Sequence, residues 1–128
     1  MMYYDFKAGE QTYKLRLSTR DIVALEKVIG MNPISIFGND GSTIPTTTTM
    51  VAILHQSLQK FQHGLTLNDA YDIFDAYIED GHMPVEFIKD IIEIFKVSGI
   101  MKDTTAQEEK ETKRKQTKVV KVNKKYLN

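Results

Sequence analysis

The alternation of apolar and polar residues near the start of the chain predicts a β-hairpin. In residues 12–17 every second side chain is apolar, which is the period of a strand with one buried face. The apolar positions are Tyr13, Leu15 and Leu17. Residues 2–8 are expected to pair with this strand across a turn at Gly9. Because a two-stranded ribbon is barely stable alone, its apolar face must pack on the rest of the chain.

Four later segments repeat apolar residues at helical spacing. Each has a residue suited to begin a helix, and a glycine follows each of them. The predicted helices run from 18–21 to Gly30, from 48 to 63, from 65–69 to Gly81 and from 83–84 to Gly99. Their predicted inner faces are Ile22, Leu25, Val28 and Ile29; Val51, Leu54, Leu58 and Phe61; Ala70, Ile73, Phe74, Tyr77 and Ile78; and Val85, Ile88, Ile91, Ile92 and Phe95.

These elements predict an α+β fold that is mostly α, with an N-terminal β-hairpin packed on a bundle of about four helices. The last three helices are joined by only a few residues, so consecutive helices should be neighbours around one core. A chain of 128 residues supports a single core. We expect one folded domain over residues 1–101 and a mobile, disordered charged arm over 102–128.

The distribution of charge supports this division. Residues 1–101 carry 8 lysines and arginines against 13 acidic residues, whereas residues 102–128 carry 9 against 4. Seven bases follow one another without an acid toward the end of the chain: Lys113, Arg114, Lys115, Lys118, Lys121, Lys124 and Lys125. Residues 104–118 include a single apolar side chain, which is too little to offset the entropy lost on ordering.

The reactive side chains do not indicate an enzyme. The chain has no cysteine, and neither a phosphate-binding glycine loop nor a nucleophile elbow occurs. His55 and His63 are eight residues apart, about two helical turns rather than the one turn of a zinc site. The carboxylates of residues 69–80 are best interpreted as a solvated helix face. We therefore expect no catalytic residue, no cofactor and no metal.

The basic arm leaves three interpretations open. It could neutralise nucleic-acid phosphates, although the body of the chain is acidic and the arm has one aromatic residue, Tyr126. It could lie near its own acidic body in a weak, salt-sensitive attraction. It could also dock on protein, because residues 119–122 have β character and could add a strand to a sheet edge, including the edge of the hairpin. Protein docking ranks above DNA binding, and plain solvation is the first interpretation for any single lysine.

The order of motifs along the chain resembles that of small tail assembly chaperones of long, non-contractile-tailed phages and related prophages. The resemblance covers residues 3–101, and its weight rests on order, spacing and length. It is carried by the runs Tyr13-Lys14-Leu15-Arg16-Leu17-Ser18-Thr19, Leu25-Glu26-Lys27-Val28-Ile29-Gly30 and Asn32-Pro33, then Val51-Ala52-Ile53-Leu54-His55-Gln56-Ser57-Leu58 and His63-Gly64-Leu65-Thr66-Leu67-Asn68-Asp69-Ala70.

The resemblance implies a non-enzymatic protein that binds the tape measure protein, keeps it soluble and assists tail tube polymerisation around it. It also implies a contact with the tail tube protein through a longer, frameshifted form, a location in the host bacterial cytoplasm and absence from the mature virion. A second copy of the chain stays open as a further partner. No membrane partner is expected, since no apolar run approaches the roughly 18 residues of a membrane span.

A protein that covers apolar helix stripes needs apolar surface of its own. Candidates are residues on helices that look apolar on more than one side, and core packing is the competing interpretation for about half of them. The candidates are Met50, Ile53, Phe87, Ile94, Val97, Ile100 and Met101. The alternative function is that of a small DNA-associated regulator that uses the basic arm.

Overall fold

A computed structural model describes residues 2–102 and contains the predicted hairpin. Strand β1 is Tyr4–Ala8 and strand β2 is Gln11–Leu15, paired antiparallel with Phe6 opposite Tyr13. Gly9, in the two-residue turn, has φ of 65°, a conformation that glycine adopts without strain. Of the predicted apolar positions, Leu15 and Leu17 are buried and Tyr13 is half-buried.

Four helices follow, and the predicted α+β, mostly α fold is confirmed. Short 3₁₀ turns at Pro33–Phe37 and Pro84–Glu86 precede α2 and α4. The helices are α1 (Thr19–Ile29), α2 (Thr47–Leu58), α3 (Leu67–Glu79) and α4 (Phe87–Val97). The predicted arm lies outside the described residues from position 103 onward.

Reciprocal side-chain caps fix where two of the helices begin. Ser18 accepts a hydrogen bond from the Asp21 N–H before α1, and the Asp21 carboxylate accepts one from the Ser18 N–H. Thr66 and Asp69 make the same reciprocal pair before α3. Each pair satisfies amide groups that the first turn of a helix leaves without partners.

Helix α2 lies at the centre of the fold. It contacts α1, α3, α4 and β2, so side chains on several sides of it are buried. Even Ser57 is fully buried, and its hydroxyl donates to the Leu54 carbonyl at 3.0 Å. The helix ends at Leu58, earlier than the predicted residue 63, and the Gln59 side chain donates to the carbonyl of His55 in its last turn.

Aromatic rings join the hairpin to α3 and α4. The Phe6 ring of β1 lies 5.2 Å from the Tyr77 ring and 5.5 Å from the Phe87 ring, measured between centroids. Phe74 and Phe87 meet edge to face at 5.3 Å. Such contacts add about 0.5–1.5 kcal/mol each beyond the burial of apolar area. They anchor the ribbon, which would otherwise be barely stable.

Three predicted inner faces need correction. Phe61 lies beyond the end of α2 and is half-buried. Val28 is 62% exposed, because the buried side of α1 is centred on Asp21 and Leu25. Val85 is 43% exposed, because it lies in the 3₁₀ turn before α4 rather than in the helix. The buried residues of α4 are Phe87, Ile91, Ile94 and Phe95, whereas Ile88 and Ile92 are half-buried.

Candidate functional site

Four of the seven candidate binding residues belong to the core, so the surface interpretation is wrong for them. Met50 and Ile53 are buried because α2 is surrounded on several sides by the rest of the fold. Phe87 and Ile94 are fully buried because α4 turns this side toward the core. In the fold described, these side chains are not accessible to a partner.

The other three candidates are half-buried at the end of α4. They are Val97, Ile100 and Met101. Ile100 and Met101 pack against the core, and the backbone N–H of Ile100 donates to the Phe95 carbonyl at 2.9 Å. Replacing either side chain with a charged one would therefore disturb the packing of the core as well as the exposed surface. Neither substitution would test binding alone.

More apolar surface lies around the end of α1. Val28 is 62% exposed, Met31 47% and Ile34 41%, and all three lie within seven residues of the chain. Gly30, at φ of 74°, ends α1 between the first two. We call Val28, Met31 and Ile34 the α1-end surface. Periodicity assigned Val28 to the core, so sequence reasoning missed this surface.

The outer edge of β2 is closed near its end by hydrogen bonds from outside the sheet. The Lys14 N–H donates to Gln62 Oε1 at 2.8 Å, and Gln62 Nε2 donates to the Lys14 carbonyl at 2.9 Å. Farther along, the Arg16 N–H donates to the Ser57 carbonyl and the Leu17 N–H donates to Ser98 Oγ. Another strand cannot pair here without displacing these groups.

The outer edge of β1 is open. Because the backbone of Lys14 faces outward, its cross-strand partner Asp5 is in a non-hydrogen-bonded pair and directs its own N–H and C=O outward. The same alternation applies to Lys7. In the described part of the chain, the outward N–H groups of these two residues have no hydrogen-bond acceptor. The edge ends at Gly9, whose N–H donates to Asp80 Oδ2 at 2.8 Å.

A cleft of about 630 Å³ lies beside this open edge. Residues 4–7 of β1 form one wall, and residues of α4 form the other, with Tyr77 and His82 also lining it. The Asp90 carboxylate accepts hydrogen bonds from two tyrosines, one from Tyr4 and one at 3.0 Å from Tyr77. This connection ties α3 and α4 to the first residue of β1. We call this feature the β1 cleft.

Burial raises the pKa of both Tyr4 and Tyr77, and their contact with the Asp90 carboxylate raises it further. Both hydroxyls therefore stay protonated and donate to the carboxylate. At the cleft mouth, the hydrogen bond between the His82 ring and Glu86, at 2.9 Å, lowers the pKa of the Glu86 carboxyl. The His82 ring also stacks on Tyr77, with 4.1 Å between centroids.

The cleft carries more negative than positive side chains. Two lysines, Lys7 and Lys89, line it, together with the four carboxylates of Asp5, Glu86, Asp90 and Glu93. Over residues 2–102, no group of three or more histidine and carboxylate side chains is arranged to hold a metal ion. Hydrogen bonds within the cleft join tyrosine to carboxylate and histidine to carboxylate. The cleft combines an open strand edge with negative charge, an arrangement suited to an extended basic peptide.

The fold accounts for several histidines and carboxylates of the sequence. The His55 ring contacts the Leu65 carbonyl at 3.1 Å, and His63 is exposed. Asp69 caps α3, and the Asp80 carboxylate accepts a hydrogen bond from Gly9 in the hairpin turn. These two carboxylates therefore stabilise the fold. The bases of the arm, from Lys113 onward, lie outside the described residues. In the described part, no helix is long and apolar enough to cross a membrane.

Comparison with known proteins identifies one family. A model described as a family of unknown function, DUF6096, matches residues 4–125 of the chain. The match includes both the described domain and the basic segment that follows it. No curated protein and no solved structure gives a significant match.

Proposed function

We propose that this chain, which belongs to the DUF6096 family of unknown function, is a phage tail assembly chaperone. In this role it binds the tape measure protein, keeps that protein soluble and assists polymerisation of the tail tube around it. It acts by binding and catalyses no reaction. The tape measure protein is proposed as the partner because residues 3–101 resemble such chaperones.

The observation that carries the proposal is the α1-end surface. A tape measure protein is long and largely helical, and it exposes apolar helix stripes before the tube forms around it. Three large apolar side chains around the end of α1 give this chain a surface that could cover part of such a stripe. Full burial of an aliphatic side chain is worth about 1.5–3 kcal/mol, so a few contacts of this kind support binding.

The architecture supports a binding role in a second way. The hairpin and helices share one core, and α1 is held to it by Leu25 while Val28 remains outside. The α1-end surface is therefore presented by a fixed helix end and a capped 3₁₀ turn, in which Asn32 accepts from the Ile34 N–H at 3.0 Å. A preformed surface loses little entropy on binding.

The proposal is tested by co-purification. The tagged chain and the tape measure protein of the same phage or prophage are produced together, and the bound tape measure protein is quantified. Charging the surface with Val28→Glu/Met31→Glu should reduce binding at least about tenfold, which corresponds to about 1.4 kcal/mol. The melting temperature should change little, because both side chains are largely exposed.

The matched control is Val23→Glu/Leu67→Glu, which also places two carboxylates at exposed apolar positions. Val23 lies five residues before Val28, about 140° away around the helix, and Leu67 begins α3. This variant should bind as the wild type does. If the α1-end variant also binds normally, the proposed surface is wrong.

A further inference from the structure

We propose that residues 118–122 of this chain add a third strand to the open edge of β1. The inference concerns the β1 cleft and does not depend on binding of the tape measure protein. It follows from the contrast between the two edges of the hairpin, from charge and from the position of the segment in the chain.

Among the described residues, β1 is the more open of the two hairpin edges. Gln62 occupies both outward backbone groups of Lys14 in β2, and just beyond the strand Ser57 and Ser98 accept from the N–H groups of Arg16 and Leu17. On β1, the outward N–H groups of Asp5 and Lys7 face the cleft side without a described partner. An incoming strand would satisfy these groups through main-chain hydrogen bonds, which is the general mode of strand addition.

The segment has the sequence of a strand that fits this edge. Residues 118–122 read Lys-Val-Val-Lys-Val, and β-branched valines favour extended backbone. No proline, glycine or acidic residue occurs in 118–125, which holds four lysines. The cleft offers four carboxylates against two lysines. The lysines of the segment would therefore lie near the carboxylates of the cleft, and the attraction between them weakens as the salt concentration rises.

The connection is long enough. Arg16 Nη1 donates to the carbonyls of both Met2 and Val97, which places the end of α4 beside the start of β1. Fifteen residues, 103–117, separate the described chain from the segment, and fully extended they span up to about 50 Å. A tether of this length gives an effective concentration on the order of millimolar. The family match also continues through residue 125, so it includes the segment.

Amide hydrogen exchange in the full-length chain, followed by NMR, tests the inference. The reporters are the amides of Asp5 and Lys7, whose side chains are exposed and whose N–H groups are open to water without the third strand. In the wild type they should exchange at least about tenfold more slowly than in Val119→Pro/Val120→Pro, since proline has no N–H and cannot join a ladder. The control Glu108→Pro/Glu109→Pro should retain the wild-type rates.

Equal exchange rates in all three proteins would overturn the inference. Protection that increases with protein concentration would overturn it too, because the strand would then come from a second copy. A charge test completes the experiment: Lys118→Glu/Lys121→Glu should lose protection, whereas Lys113→Glu/Lys115→Glu should keep most of it. Because no tape measure protein is present, failure here leaves the co-purification result unaffected, and the two proposals are distinguishable.

Discussion

The side-chain amide of Gln62 pairs with the backbone of Lys14 as a neighbouring strand would. Its oxygen accepts from the Lys14 N–H at 2.8 Å, and its nitrogen donates to the Lys14 carbonyl at 2.9 Å. The same nitrogen donates to Leu58, the last residue of α2. A single side chain thus closes the edge of β2 at Lys14 and fastens the hairpin to the central helix.

Replacing Gln62 should destabilise the domain. Gln62→Ala removes both hydrogen bonds to Lys14, and a hydrogen bond contributes about 0.5–1.5 kcal/mol net. We expect the free energy of unfolding in urea to fall by about 1–2 kcal/mol. The control is Gln56→Ala, at a half-buried position within α2. Equal losses in the two variants would show that the pairing with Lys14 contributes nothing.

The tyrosine pair on Asp90 predicts a loss of stability in alkali. The pKa values of Tyr4 and Tyr77 are raised in the folded state above their ordinary value of 10.0. The unfolded state therefore loses these protons at a lower pH than the folded state does. The resulting stabilisation is complete below pH 10 and decreases as the pH rises above it.

The measurement is urea unfolding at a series of pH values from neutral to strongly alkaline. The wild type should be more stable than Tyr4→Phe/Tyr77→Phe below pH 10, because the hydroxyls donate to Asp90. Above pH 10 this difference should shrink, because the two hydroxyls ionise in the unfolded state while they are still protonated in the folded state. A difference that stays constant with pH would contradict the assigned hydrogen bonds.

The reassignment of Phe87 to the core predicts a large effect of truncation. Phe87 is fully buried among Phe6, Phe74 and Tyr77, so Phe87→Ala should cost about 3–5 kcal/mol. Val85, two residues earlier, is 43% exposed, and Val85→Ala should change stability by less than about 0.5 kcal/mol. The two stability losses are measured by thermal or chemical unfolding of both variants. Comparable losses would mean that the two side chains share one environment.

Local patterns in the sequence predicted the elements of the fold. Alternation around Leu15 identified the second strand, and the predicted start of α3 at 65–69 includes its cap, Thr66. These signals depend on neighbours within a few residues. The inner face of α3 was also predicted well, with Ala70, Ile73, Phe74 and Tyr77 buried, because that helix has one clear apolar side.

Tertiary placement could not be predicted in the same way. Periodicity cannot show that α2 is surrounded on several sides, so Met50 and Ile53 were predicted as candidates for an exposed apolar surface. The contacts of the β1 cleft join residues far apart in the chain, such as Tyr4 and Asp90, 86 positions apart. No local pattern encodes such pairs. The α1-end surface was not predicted, because Val28 has the spacing of a core residue.

The most direct test of the account is the solubility of the tape measure protein of the same phage or prophage. That protein is produced alone and together with this chain, and its soluble fraction is measured after centrifugation. The account predicts that co-production moves most of it into the soluble fraction and that Val28→Glu/Met31→Glu abolishes the effect. An unchanged soluble fraction with the wild-type chain would contradict the account.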